Sequence, residues 1–211
     1  MSKRSEQETF WEGEFGNSYT ERNKGGHWIA SNTSFFANAL GKASRIKSVL
    51  ELGANRGLNI QALAALLPQA SLSAVEINSI AATELERSCP DAEIFKTSLL
   101  EFRSEKRWDM CFTKGVLIHI NPEKLSDAYQ ALYEHSSKYI LLAEYYNPSP
   151  VEISYHGHSS KLFKRDFAGE ILEKYEDLRL IDYGFVYHRD LNFPQDDLTW
   201  FLMEKQSSPT K

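Results

Sequence analysis

Apolar positions keep one spacing before Ile46 and another after it. Over residues 6–22 they fall at Phe10, Trp11 and Phe15, which predicts a helix and turn with these three on the buried side. Gly25 and Gly26 then break the chain, and Ser31 is expected to cap a helix over 32–42. From Ile46 short apolar runs alternate with helical patterns. Strands are predicted at 48–52, 71–77, 91–96, 108–113 and 139–144. Helices are predicted at 58–67, closed by Pro68, at 79–88, and at 122–133 with Pro122 in the first turn. A further helix over 163–174 precedes two strands, 178–187 and 198–204, with only a loop between them.

Apolar strands separated by helices bury both faces of a parallel sheet. Five such units followed by a hairpin predict an α/β, Rossmann-like fold. It has a seven-stranded, mostly parallel sheet, helices on both faces, a C-terminal antiparallel hairpin and an N-terminal helical lid. The organisation follows as a lid over 1–42, a main domain over 43–206 and a disordered tail at 207–211. A length of 211 residues with 42% hydrophobic and 25% charged content suits one such domain. The net charge of −5 speaks against a nucleic-acid partner. Cys89 and Cys111, the only cysteines, are too few for a disulfide framework. No window approaches the ~20 apolar residues that span a bilayer, and residues 1–7 lack a signal-peptide core, so a soluble cytoplasmic protein is expected.

The stretch VLELGANRG at 49–57 is the most informative. Gly53 can take positive φ where the strand turns into the helix and lets a ligand approach the backbone, and Gly57 would let the helix pack closely. Dinucleotide sites need a middle glycine to seat a pyrophosphate, and none is present. No Gly-Lys-Ser/Thr follows, which excludes a Walker loop. Glu51 suits a cationic ligand and would repel a phosphate. Glu76, in AVEIN at 74–78, lies 23 residues beyond Gly53, where a carboxylate can accept both ribose hydroxyls. Together these point to S-adenosylmethionine (SAM), leaving S-adenosylhomocysteine (SAH). Ala54, Asn55, Ile77 and Asn78 complete that expected site. Thr97, Ser98 and Leu99 after the third strand could hold the adenine, although the aspartate common at that place in this class is absent. Lys114, Gly115 and Val116 follow the fourth strand, beside the reactive methyl. Tyr19, Arg22 and Asn23 of the lid could reach the methionyl carboxylate or the substrate.

His119 lies just beyond the fourth strand and has two readings: a general base near the methyl, or a packed histidine ahead of the 122–133 helix. The loop after the fifth strand, polar and aromatic, suggests acceptor binding by Tyr145, Tyr155, His156, His158, Lys161 and Arg165. Lys161, Lys164 and Arg165 could clamp a carboxylate or phosphate, or Lys164 and Arg165 could lie on a solvated helix face. His156 and His158 lack a third ligand at a clear spacing, so no metal is expected.

The chain resembles the pseudaminic acid biosynthesis-associated methylases over nearly its whole length. The resemblance rests on FWEGEFGNSYTERN at 10–23, VLELGANRG, KGVLIHI at 114–120, EYYNP at 144–148, LFKRDFAG at 162–169 and DYGFVYHR at 182–189. It implies a SAM-dependent methylase whose acceptor is a small molecule, a nonulosonic acid or its CMP-activated form, for bacterial surface glycans. The methylated atom would be an oxygen or a nitrogen.

Overall fold

A computed structural model describes residues 4–22 and 25–206. The expected tail at 207–211 and the role suggested for Asn23 lie outside these residues. The chain begins with α1 (Glu6–Glu12) and α2 (Glu14–Arg22). Ser5 opens α1 with a capping box: its hydroxyl accepts the Glu8 N–H at 3.2 Å, and the Glu8 carboxylate accepts the Ser5 N–H at 2.8 Å. Phe10, Trp11 and Phe15 are only half-buried; the buried residues here are Gln7, Gly16 and Thr20. The reason is that the three aromatics pack on one another and on the rings of Tyr155 and His158 instead of entering the sheet's cores, and only Trp11 lines a cleft. α3 (Gly26–Ala39) starts at Gly25, so Ser31 is buried inside the helix and does not cap it.

The alternating part follows as β1 (Ser48–Leu52), α4 (Leu58–Leu66), β2 (Ser71–Glu76), α5 (Ser79–Ser88), β3 (Glu93–Lys96) and β4 (Trp108–Lys114). Two short 3-10 turns, Leu117–His119 and Pro122–Lys124, lead into α6 (Leu125–His135) and β5 (Ser136–Glu144). Residues 145–165, expected as a loop, instead carry a hairpin of β6 (Val151–Tyr155) and β7 (His158–Lys164). Its two-residue turn places His156 and Gly157 at φ 49° and 82°, the positive-φ pair a tight hairpin needs. α7 (Phe167–Lys174) therefore starts four residues later than expected, capped by the Asp166 side chain. β8 (Leu178–Val186) and β9 (Leu198–Lys205) close the chain.

The sheet runs β3-β2-β1-β4-β5-β9-β8, parallel from β3 to β5 and antiparallel beyond. The fold expectation is met in strand number, direction and final hairpin. Alternate residues of the inner strands enter two cores. Val49, Met110, Phe112 and Leu141 pack with Phe36, Ile60, Leu63 and Leu85 of α3, α4 and α5. Leu50, Leu52, Ile140 and Leu142 pack with Leu125, Leu132, Phe167 and Ile171 of α6 and α7. Each large apolar side chain fully buried this way contributes about 1.5–3 kcal/mol. The direction of winding reverses between β1 and β4, so a crevice opens beyond their C-terminal ends.

Candidate functional site

The crevice holds a cleft of about 1320 Å³, counting its open mouth. Its floor is the row of turns that follow β1, β2, β3 and β4. Gly53 turns at φ 85°, and a Cβ there would stand 2.8 Å from Val116, so the two turns interlock. Gly57 also has positive φ, but its close neighbour is Leu85 of α5, which a Cβ would meet at 2.1 Å. Gly57 therefore serves helix–helix packing rather than approach to the sheet.

Glu76 is buried at the end of β2 and accepts the backbone N–H groups of Asn55 at 2.6 Å and Asn78 at 2.7 Å. Burial raises its pKa against these hydrogen bonds. Glu51 is fully buried one layer behind the cleft. One of its oxygens accepts from Asn59 Nδ2 at 2.6 Å, and the other has no partner among the described residues. Burial pushes its pKa up to about 8, opposed by Asn59 and then by Lys114. Asn59 itself lines the cleft with a buried, unpartnered Oδ1. Sequence reasoning missed Asn59, whose only signal is that it sits in the first turn of the helix after the glycine loop.

Twelve expected cofactor residues line the cleft: Tyr19, Gly53, Ala54, Asn55, Glu76, Ile77, Asn78, Ser98, Leu99, Lys114, Gly115 and Val116. Glu51, Gly57 and Arg22 do not. The Asn78 side chain is engaged elsewhere, since its Nδ2 donates to Trp11 O, Glu12 O and Asn17 Oδ1 while its Oδ1 caps α5. It latches the first two helices over the floor. Gly16 lets them come this close, because a Cβ there would meet Trp11 O at 1.9 Å and Asn78 Nδ2 at 2.9 Å. Asn55 and Arg56 add hydrogen bonds to Thr20, each at 3.2 Å. Gln195 and Asp196, from the segment between β8 and β9, complete one wall, with Gln195 held by Asn32 at 2.9 Å.

A second cavity of about 970 Å³ shares Tyr19, Trp28, Lys114, Gly115, His119 and Asp196 with the first. Arg22, Tyr145, Tyr155 and His156 line it as well. The hairpin turn thus brings Tyr155 and His156 to the cavity, while His158 packs on Phe10 with ring centroids 5.1 Å apart. Lys161 and Arg165 are not free to clamp an anion there. Lys161 is buried against Glu6 at 2.5 Å, and Arg165 pairs with Glu170 at 2.5 Å. Lys164 lies over the Tyr145 ring at 4.9 Å. The cations that do line the cavity are Lys114 and Arg22.

His119 sits at the junction, its ring 4.5 Å from Trp11 and 4.9 Å from Tyr155. Its Nδ1 is 2.6 Å from the carbonyl of Lys161. A carbonyl only accepts, so Nδ1 carries the proton and Nε2 keeps its lone pair. Burial lowers the pKa to about 4, so the ring is neutral at pH 7. Buried Glu144 accepts the N–H groups of Val116 and Leu117 at 3.1 Å and of Ile118 at 3.4 Å, which fixes the turn that carries His119. Burial raises the Glu144 pKa to about 7. No group of His, Cys, Asp and Glu among the described residues could hold a metal ion. None of the described helices is long and apolar enough to cross a membrane.

No protein-family model matches the chain, and no curated protein matches it. Solved structures do. Magnesium protoporphyrin IX methyltransferase from Synechocystis PCC 6803 with bound SAM is 12% identical, covers 98% of this chain and 100% of its own, and superposes with a TM-score of 0.71. Burkholderia thailandensis 1,6-didemethyltoxoflavin-N1-methyltransferase, with its substrate and SAH bound, is 14% identical over 91% of this chain and 84% of its own, TM-score 0.65. The plantazolicin methyltransferase, in complex with a pentazolic desmethyl analogue and SAH, is 15% identical over 91% and 90%, TM-score 0.63. The architecture built by this sequence is that of the class I SAM-dependent methyltransferases.

Proposed function

We propose that the chain is a SAM-dependent methyltransferase for a small, polar, anionic acceptor, and that a nonulosonic acid, free or CMP-activated, is that acceptor. The observation that carries the reading is the pair of cavities meeting at His119 and Lys114. One is suited to the methyl donor and the other to the molecule that receives the methyl.

The donor cleft fits its ligand on its own chemistry. Asn59 Oδ1 is a buried acceptor without a partner, oriented by Glu51, and suits the α-ammonium of a methionyl group. Glu76 retains lone pairs for two ribose hydroxyls after holding two backbone N–H groups. Bound SAM would supply an electrophilic methyl to an acceptor lone pair, the C–S bond breaking as the sulfonium leaves as the neutral thioether of SAH. The chain's own groups orient the partners and exclude water. His119 Nε2 accepts a hydrogen bond from the acceptor's hydroxyl or amine and takes its proton late, as a weak base can. Glu144 keeps the His119 turn in place, and Lys114 and Arg22 meet the acceptor's anionic group. The nonulosonate assignment is supported by the sequence motifs and by these two cations.

Mass spectrometry of methyl transfer from SAM to a panel of nonulosonic acids, free and CMP-activated, with unrelated polar acceptors, tests the reading. One sugar gaining a methyl, with turnover falling about 100-fold in His119→Ala, is the expected result. Methylation of an unrelated acceptor alone would remove the sugar assignment. SAM binding without turnover on any acceptor would make the chain a sensor or partner protein.

A further inference from the structure

The floor beyond β3 lacks an acidic side chain, yet the lid brings one there. Glu76 and Lys96 are in register at the ends of β2 and β3, and Ser98, two residues beyond Lys96, lines the same cleft as Glu76. Ser98 Oγ donates its only proton to Glu8 Oε1 at 2.5 Å and accepts the Leu100 N–H at 3.2 Å. The hydroxyl has no proton left for a ligand. Glu8 Oε2 is taken by the Ser5 N–H and hydroxyl, at 2.8 and 2.9 Å, whereas Oε1 holds Ser98 alone and keeps a lone pair. Gln7, 6% exposed, lines the same cleft with an unpartnered Oε1 while its Nε2 donates to Ser160 O at 3.1 Å. This corner therefore offers acceptors from α1. Next to them, the backbone N–H of Leu99 makes no hydrogen bond to another described residue.

We infer that Glu8, a residue of the lid and not of the sheet, reads the exocyclic amine of the donor's purine, with Gln7 as a second acceptor and the Leu99 N–H facing the ring nitrogen. The inference rests on the methyl-donor reading above and deepens it. An acceptor beside a donor matches the amino–imino edge of adenine. It opposes hypoxanthine, in which that edge carries a carbonyl and an N–H. Recognition of the base would then exist only while α1 is docked, so base selectivity and lid closure become one event.

Calorimetric titration of the full chain with SAH and with its inosyl analogue tests this. Wild type is expected to prefer the adenine compound by about 100-fold, since a buried mismatch leaves both partners unpaired. Glu8→Gln preserves the capping box and presents an amide that can also donate, so the preference should shrink to about 10-fold or less. Glu8→Asp, which withdraws the oxygens by one methylene, should weaken SAH about 10-fold and leave the inosyl compound unchanged. Equal wild-type affinities overturn the inference even if neither variant folds. Strong wild-type preference that survives both substitutions moves base selection to the backbone and removes Glu8. Failure of both compounds to bind removes the methyl-donor reading itself.

Discussion

The floor and the roof of the cleft are built from different forces. The floor consists of turns at the ends of four parallel strands, backed by fully buried side chains such as Leu50, Leu52, Met110 and Phe112. Its joints are steric, as at Gly53 against Val116 and Gly57 against Leu85. The roof consists of α1, α2 and the β6–β7 hairpin, where β6 is almost wholly exposed. Beside ring contacts such as Trp11 on His119 and His158 on Phe10, its joints are hydrogen bonds and one ion pair: Asn78 to Trp11, Glu12 and Asn17, Ser98 to Glu8, Gln7 to Ser160, and Lys161 to Glu6. Hydrogen bonds of about 1 kcal/mol each can open one after another, whereas a close-packed joint opens only when the core does. The cleft therefore has one side that can open stepwise while the other keeps its shape.

Substitutions should separate the two sides, with the largest effect on the floor. Gly57→Ala places a Cβ 2.1 Å from Leu85 at a positive-φ position. Urea unfolding should register a loss of about 2–4 kcal/mol. A loss under about 1 kcal/mol would mean that α4 and α5 slide apart freely and the floor is not rigid. Glu76→Ala comes next. Removing a buried acceptor should weaken SAH about 100-fold by calorimetry, and a change of only a few-fold would remove the ribose role proposed for Glu76.

On the roof, Gly16→Ala forces a methyl against Trp11 O and Asn78. Protease cleavage within residues 4–22 should accelerate about 10-fold, with global stability changed by less than about 1 kcal/mol. Equal effects on both would erase the distinction between floor and roof.

The smallest expected effect is in the pH dependence of the ligand-free protein. Glu51 and Glu144 have folded pKa values raised to about 8 and about 7, so the folded state holds more protons than the unfolded one above the ordinary carboxylate range. Their stabilising contribution is complete near pH 4 and is lost as pH rises toward 8. His119, held down at about 4, acts oppositely: its contribution is complete above pH 6.5 and is lost as pH falls toward 4. Thermal unfolding should therefore show a Tm that declines from pH 6.5 to 8.5. Glu51→Gln should flatten this by a few degrees, about 2–4 °C per kcal/mol. An unchanged slope would mean that Glu51 is ionised in the fold at pH 7.

The legible parts of the fold are those written in consecutive residues. The strand–helix rhythm after Ile46 gave every strand of the seven-stranded sheet to within a few residues, because burial on both faces demands apolar runs and the helices between them keep their own period. Gly53 and Glu76 were legible for the same reason, each standing where a predicted strand stops. The β6–β7 hairpin was not. Its turn is His156-Gly157 rather than an asparagine–glycine pair, β6 has no buried residue, and the buried residues of β7 are the consecutive Lys161, Leu162 and Phe163 rather than an alternating set. Ser31 has a cap's chemistry, but Trp28, Ile29 and Ala30 carry the helix past it, and its neighbour Asn32 is used to hold Gln195.

By itself the sequence determined the class of the sheet, the glycine turn at the end of β1 and the acidic residue at the end of β2, since each depends on spacing along one stretch of chain. Only the tertiary structure decided which polar groups remain available. Lys161 and Arg165 have the chemistry of an anion clamp, but Glu6, 155 residues away from the lysine, and Glu170 occupy them. Asn59 and Glu8 entered the candidate site for the converse reason: packing left each an acceptor lone pair beside the cleft. A side chain's chemistry is fixed by its type, but its freedom to act is fixed by which partner the fold brings to it and how much water is left.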